Sequence, residues 1–196
     1  MLVLSAGLVQ AETLRLVAFG DSLTHGYGLP QDQGFVPQLE RWLQGQGQDV
    51  IVINMGVSGD TTAGGRARLG WALADGADAL ILELGGNDLL RGIDPAASRD
   101  NLDAMLVELG GQGIPVLLTG LEAPLNYGVE FKQAFDGMYA DLAEQHNAVL
   151  YPNFVDGVVN AEMMQSDGIH PNEKGVAKII EGIGPKVLEL LARAAK

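Results

Sequence analysis

Leu14-Arg15-Leu16-Val17-Ala18-Phe19-Gly20-Asp21-Ser22-Leu23-Thr24-His25-Gly26 carries an apolar run directly into a polar turn. The stretch Leu14–Phe19 reads as a buried strand, and Gly, Asp and Ser are the residues that end one. A hydroxyl displayed beside a carboxylate at a strand end is, taken alone, a turn residue or a helix N-cap. Whether Ser22 is more than that depends on what the other strand ends supply.

The same signal recurs at Val50–Ile53, Ala79–Leu84, Pro115–Thr119 and Ala148–Tyr151. Between these runs lie helical patterns near Phe35–Leu43, Thr62–Ala74, Ser98–Leu109 and Phe131–Gln145, with a last one from Glu173 to Ala195. The strand runs read as continuously apolar rather than alternating, as expected when both faces of a parallel sheet are covered. The order of elements predicts a three-layer α/β/α domain built on a flavodoxin-like, five-stranded parallel sheet. Gly182, Gly184 and Pro185 are expected to break or kink the last helix. Two connections, 121–129 and 152–166, are longer and irregular, which in compact domains is often a mark of function.

At 196 residues the chain reads as a single domain over 12–196. Its formal charge of −13 opposes nucleic acid and anionic membrane surfaces, so neither is expected as a partner. Cysteine is absent, which excludes disulfides, thiolate metal sites and a cysteine nucleophile. The three histidines show no metal-ligand spacing, and no metal or other cofactor is expected. Nothing in the chain approaches the ~20 apolar residues of a membrane span. The segment 1–11 is apolar and ends in Val9-Gln10-Ala11, small residues at the spacing of a signal-peptidase site, but without a basic start. It reads as the remnant of an export signal, which would place the protein in the periplasm or outside the cell, or else as an N-terminal arm, with a cytoplasmic protein as the alternative.

In an open parallel sheet the loops beyond the carboxyl ends of the strands gather the ligand-binding groups. Those loops carry Gly20-Asp21-Ser22-Leu23, then Asn54-Met55-Gly56-Val57-Ser58-Gly59-Asp60-Thr61, then Gly85-Gly86-Asn87-Asp88, and finally Ser166-Asp167-Gly168-Ile169-His170-Pro171. A serine hydroxyl is a weak nucleophile at neutral pH and needs an adjacent base. Histidine suits that role. Asp167 precedes His170 by three residues, and a turn through Gly168 can fold its carboxylate onto the imidazole Nδ1–H. That contact fixes the tautomer and stabilises the imidazolium formed during attack. The backbone N–H groups of Ser22 and Gly59 and the Asn87 amide are candidate donors to the resulting oxyanion. Each element alone is ordinary turn or cap chemistry; the order in which all four follow their strands is what argues for a site.

These four blocks resemble those of the SGNH, or GDSL, hydrolases, and the resemblance runs from about Leu16 to Pro171. With Leu89-Leu90-Arg91-Gly92 and Pro124-Leu125-Asn126-Tyr127-Gly128 included, the chain is most similar to the bacterial multifunctional arylesterase, acyl thioesterase and lysophospholipase branch of that family. The resemblance implies the SGNH hydrolase fold, with Ser22 as nucleophile, His170 as base and Asp167 as its orienter. It also implies an oxyanion hole made of the Ser22 N–H, the Gly59 N–H and Asn87. The substrates implied are small acyl esters, and with them thioesters or lysophospholipids. Asp21 is expected to hold its loop by backbone hydrogen bonds, and Leu125 and Tyr127 to form part of an apolar acyl wall. His25 lacks a paired carboxylate to orient it as a base, and His146 ends a helical pattern, where a cation needs no catalytic role.

Two other readings fit parts of the sequence. A carbohydrate deacetylase would keep the fold and the triad. A flavin-binding module would share the sheet, but Asp21 stands where a phosphate would have to approach.

Overall fold

The parallel sheet has the order β2-β1-β3-β4-β5, with β1 Leu14–Gly20, β2 Val50–Gly56, β3 Ala79–Glu83, β4 Val116–Thr119 and β5 Val149–Tyr151. The structure, a computed structural model, describes residues 13–195; the segment 1–11 lies outside them. The helices are α1 Ser22–His25, α2 Phe35–Gly45, α3 Thr62–Ala72, α4 Gly86–Leu90, α5 Pro95–Gly111, α6 Val129–Gln145 and α7 Glu173–Ala194. α2 packs with α7, while α5 packs with α3 and α6. The two groups form the outer layers of an α/β/α sandwich.

Burial follows strand position. Every residue of the central strand β3 is buried, as are Leu16–Gly20 of β1. Fully burying one Leu or Phe contributes about 1.5–3 kcal/mol, so these strands anchor the core. β2 departs from the continuous-burial reading: it is an edge strand and leaves Ile51 exposed. Glu40 of α2 partly closes that edge by accepting a hydrogen bond from the Val52 N–H at 2.7 Å.

Helix α7 corrects the expectation of a break. It runs unbroken through Gly182, Gly184 and Pro185. Pro185 lies on the exposed face, where water can satisfy the carbonyl that loses its partner. On the other face Val176, Ile179, Ile180, Ile183, Val187, Leu190 and Leu191 are buried, which outweighs the local defect. Gly184 is required by close approach: a Cβ there would press on the Trp42 ring of α2. α5 starts earlier than its apolar pattern, because Asp94 caps it through the Ala96 N–H at 3.0 Å and Pro95 takes the first helical position.

The sheet order positions the site. The chain builds outward from β1 to β2, then returns to the other side of β1 to form β3. The loops after β1 and β3 therefore part at the carboxyl edge, and a crevice opens where the order reverses. Gly20 stands there, in register with Gly56 of β2 and Glu83 of β3.

Candidate active site

β1 delivers Ser22 through a tightly packed turn. A Cβ on Gly20 would collide with Thr24 Oγ1 and the Glu83 carbonyl, so only glycine fits. Asp21 then caps α1: its Oδ1 accepts from the Leu23 N–H at 2.9 Å, and its carbonyl accepts from the His25 N–H at 2.9 Å. Asp21 is almost fully buried and holds the loop as the sequence suggested. Burial pushes its carboxyl pKa up, opposed by hydrogen bonds to the charged form. Arg68 of α3 clamps the base of this turn, donating to the Gly20 carbonyl at 3.0 Å, the Met55 carbonyl at 2.9 Å and Asp60 Oδ2 at 2.6 Å. Its guanidinium lies 4.0 Å from the centroid of the Phe19 ring.

The structure brings Ser22, His170 and Asp167 together. Asp167 Oδ1 accepts from the backbone N–H groups of Ile169 at 2.9 Å and His170 at 3.0 Å. Its Oδ2 lies 2.7 Å from His170 Nδ1. The His170 backbone N–H, the His170 ring and the Ile169 N–H hold the Asp167 carboxyl down at about 2. An ionised Asp167 can only accept, so His170 Nδ1 carries the proton and Nε2 presents a lone pair. That Nε2 lies 2.9 Å from Ser22 Oγ. Gln165 ties the two loops together, its amide donating to the Tyr27 carbonyl at 2.8 Å and the Pro171 carbonyl at 3.1 Å.

The three candidate oxyanion donors border one cleft of about 360 Å³ with Ser22 and His170. The Ser22 N–H opens α1, where no intrahelical acceptor exists. Gly59 follows β2 with φ of +84°, and its carbonyl accepts from Arg91 Nη2 at 2.8 Å. Among the described residues, neither N–H donates to a turn or cap acceptor. Asn87 Nδ2 donates to Asp21 Oδ2 at 3.1 Å, which leaves its second amide hydrogen for another acceptor. Its neighbour Asp88 is buried and pins α4, accepting from the Thr62 N–H at 2.9 Å, Thr62 Oγ1 at 2.6 Å and Ser98 Oγ at 2.9 Å. Leu23, Leu89, Leu90, Leu121, Val155 and Ile169 give the cleft its apolar walls.

The structure does not bring Leu125 and Tyr127 into that lining. Leu121 and Glu122 represent their connection there instead. Leu125 sits in a short 3-10 turn and is 65% exposed. Tyr127 turns its ring onto Phe131, 4.9 Å between centroids, with its hydroxyl 3.5 Å from the Leu90 carbonyl. His25 Nδ1 meets Ser58 Oγ at 3.0 Å, apart from the triad, and His146 pairs with Asp103 at 2.7 Å. Tyr27, which sequence reasoning passed over, lies with its ring centroid 4.7 Å from that of His170 and lines the cleft. Among the described residues, no group of three or more His, Asp or Glu side chains is arranged to hold a metal, and no helix is long and apolar enough to cross a membrane.

This fold and this serine, histidine and aspartate geometry define a serine hydrolase of the α/β/α type. The model of the GDSL-like lipase/acylhydrolase family matches residues 18–178, and the chain belongs to that family as a serine ester hydrolase. It is 42% identical over 184 residues to esterase TesA of Pseudomonas aeruginosa, covering 93% of this chain and 92% of the relative. It is 34% identical over 175 residues to thioesterase 1/protease 1/lysophospholipase L1 of Escherichia coli K12, covering 88% of this chain and 81% of the relative. The crystal structure of TesA superposes with a TM-score of 0.85 at 40% identity, covering 90% of this chain and 99% of the other.

Proposed function

We propose that Ser22, His170 and Asp167 hydrolyse small acyl esters through an acyl-enzyme. Ser22 Oγ attacks the acyl carbonyl carbon while His170 Nε2 takes the hydroxyl proton. The developing oxyanion accepts from the N–H groups of Ser22 and Gly59 and from the Asn87 amide. His170 then returns the proton to the leaving oxygen or sulfur, and the bond to the leaving group breaks. In the second half a water gives its proton to His170, its oxygen attacks the acyl carbon, and Ser22 leaves reprotonated. Asp167 stays ionised throughout and steadies the imidazolium. The observation that carries this reading is the unbroken hydrogen-bonded line of 2.7 Å and 2.9 Å from Asp167 through His170 to Ser22, opening onto the cleft.

The cleft's size favours one acyl chain, since about 360 Å³ is at the low end for small-molecule sites. Its leucine-rich walls favour acyl esters, thioesters and lysophospholipids over acetylated sugars, in keeping with the names of the relatives. Buried Asp21 at the end of β1 disfavours a flavin phosphate in the same place. Tyr127 contributes from behind the wall by bracing the Leu90 segment, and Leu125 is left to substrate that extends beyond the cleft. The segment 1–11 supports an exported enzyme. A panel of nitrophenyl esters graded by chain length, an acyl-CoA and an acetylated sugar tests the reading. Turnover confined to the acetylated sugar would refute it.

A further inference from the structure

Glu83 is the one carboxylate within the buried strands of the sheet. It closes β3 beneath the Ser22 turn and is fully buried. Its Oε2 accepts from the Asp21 N–H at 3.3 Å and from Thr24 Oγ1 at 2.9 Å, one partner on each side of Ser22. Its Oε1 is buried and has no hydrogen-bond partner among the described residues. Asp21 differs: its Oδ1 receives the Leu23 N–H and its Oδ2 the Asn87 amide.

Charges and titratable groups from α3, α4, α6 and the loop before α7 lie around the Glu83–Asp21 pair. Tyr139 of α6 feels Glu83 and Asp21 together with Asp88 of α4 and Asp136 of α6, and none of these offers a positive charge. The His170 imidazole, positive only when protonated, bears on Asp21 and not on Glu83. Arg68 of α3 commits its donors to Asp60, Met55 and Gly20, with none on Glu83. An ionised Glu83 would thus be a buried anion with one oxygen unsolvated, facing a second carboxylate; both effects are strongly unfavourable. The proton belongs on Glu83, because Asp21 has a donor on each of its oxygens and Glu83 has none on Oε1.

We infer that Glu83 is a positioning residue that is kept as a neutral carboxylic acid under the nucleophile turn. In that form its carbonyl oxygen fixes Asp21 and Thr24, and with them the angle at which α1 presents Ser22. It also leaves Asp21 as the single anion of the pair, free to orient the Asn87 amide. Loss of the proton would set two anions against each other under the nucleophile and disturb both the serine and the oxyanion donor. Burial, and then the charge of Asp21, push the Glu83 carboxyl well above its ordinary range, in agreement. The inference rests on Ser22 and Asn87 having the roles proposed above.

Three measurements on the full chain test it. Glu83→Ala should lower kcat by about 10²-fold with KM little changed, the scale expected when catalytic groups shift by about 1 Å. Glu83→Gln, which copies the neutral acid, should restore kcat to within about threefold of the parent, a gap too small to reflect a misplaced serine. Infrared difference spectra of the parent against Glu83→Gln at neutral pH should show the carbonyl band of a protonated carboxylic acid, shifted when the glutamates alone are isotope-labelled. A Glu83→Gln variant as impaired as Glu83→Ala would overturn the inference. So would an absent band, or a band that ignores the glutamate label. If Glu83→Ala fails to fold, the Gln variant and the band decide. Failure of the Ser22 assignment is separate, since it would appear as activity retained in Ser22→Ala whatever Glu83 does.

Discussion

Removing the Asn87 amide isolates the oxyanion claim. Asn87 Nδ2 uses one hydrogen on Asp21 Oδ2 at 3.1 Å and keeps the other for the cleft that Ser22 borders. Loss of one preorganised donor to an oxyanion reduces kcat by about 10²–10³, or about 2.7–4 kcal/mol of transition-state stabilisation. Asn87→Ala should therefore lower kcat by that factor on a nitrophenyl ester, with KM almost unchanged because the donor acts on charge that the ground state lacks. The same truncation takes a donor from the buried Asp21 carboxylate, a loss of about 1–3 kcal/mol that should appear as a lower melting temperature. Steady-state kinetics and thermal melting separate the two effects. A rise in KM at unchanged kcat would refute the oxyanion role and assign Asn87 to ground-state binding.

Asp167→Asn should lower kcat by about 10³–10⁴, since it removes the acceptor that fixes the His170 tautomer. The depressed Asp167 pKa means that its ionic contribution is complete above its ordinary value of 3.8 and is lost as pH falls through about 2. An NMR titration of that carboxyl giving an ordinary value would contradict this. Leu121→Ala should reduce kcat/KM for long acyl esters by about 0.8 kcal/mol per methylene left uncovered, sparing acetyl esters, while Leu125→Ala should affect only esters long enough to extend beyond the cleft. Equal losses for short and long chains in Leu121→Ala would make that residue structural. Deleting residues 1–11 should leave activity and melting temperature intact; a large fall in either would show that the segment belongs to the fold.

The strands were legible because each is a compact apolar run, and the site because its four blocks fall at strand ends where the sheet topology gathers them. Glu83 was legible too, as a lone charge in Ala79-Leu80-Ile81-Leu82-Glu83-Leu84, but a reading of that run as continuously apolar passes over it. The continuity of α7 was not legible. Local sequence shows Gly182, Gly184 and Pro185, whereas the decision lies in the buried face of the helix and in its contact with Trp42. Tyr27 carries no local signal either, because its place over His170 is set by a loop held from Gln165, far along the chain. Leu125 and Tyr127 failed to reach the cleft for the converse reason. An apolar composition in the right connection says nothing of which way a turn points.

Covalent capture of the nucleophile tests the central claim most directly. A fluorophosphonate should react once per chain, and peptide mass spectrometry should place the adduct on Ser22. Ser22→Ala should take up no label and lose turnover, while a chelator should leave the parent rate unchanged. An adduct on another residue, or ester turnover that survives in Ser22→Ala, would contradict the assignment of Ser22, His170 and Asp167 as the catalytic set.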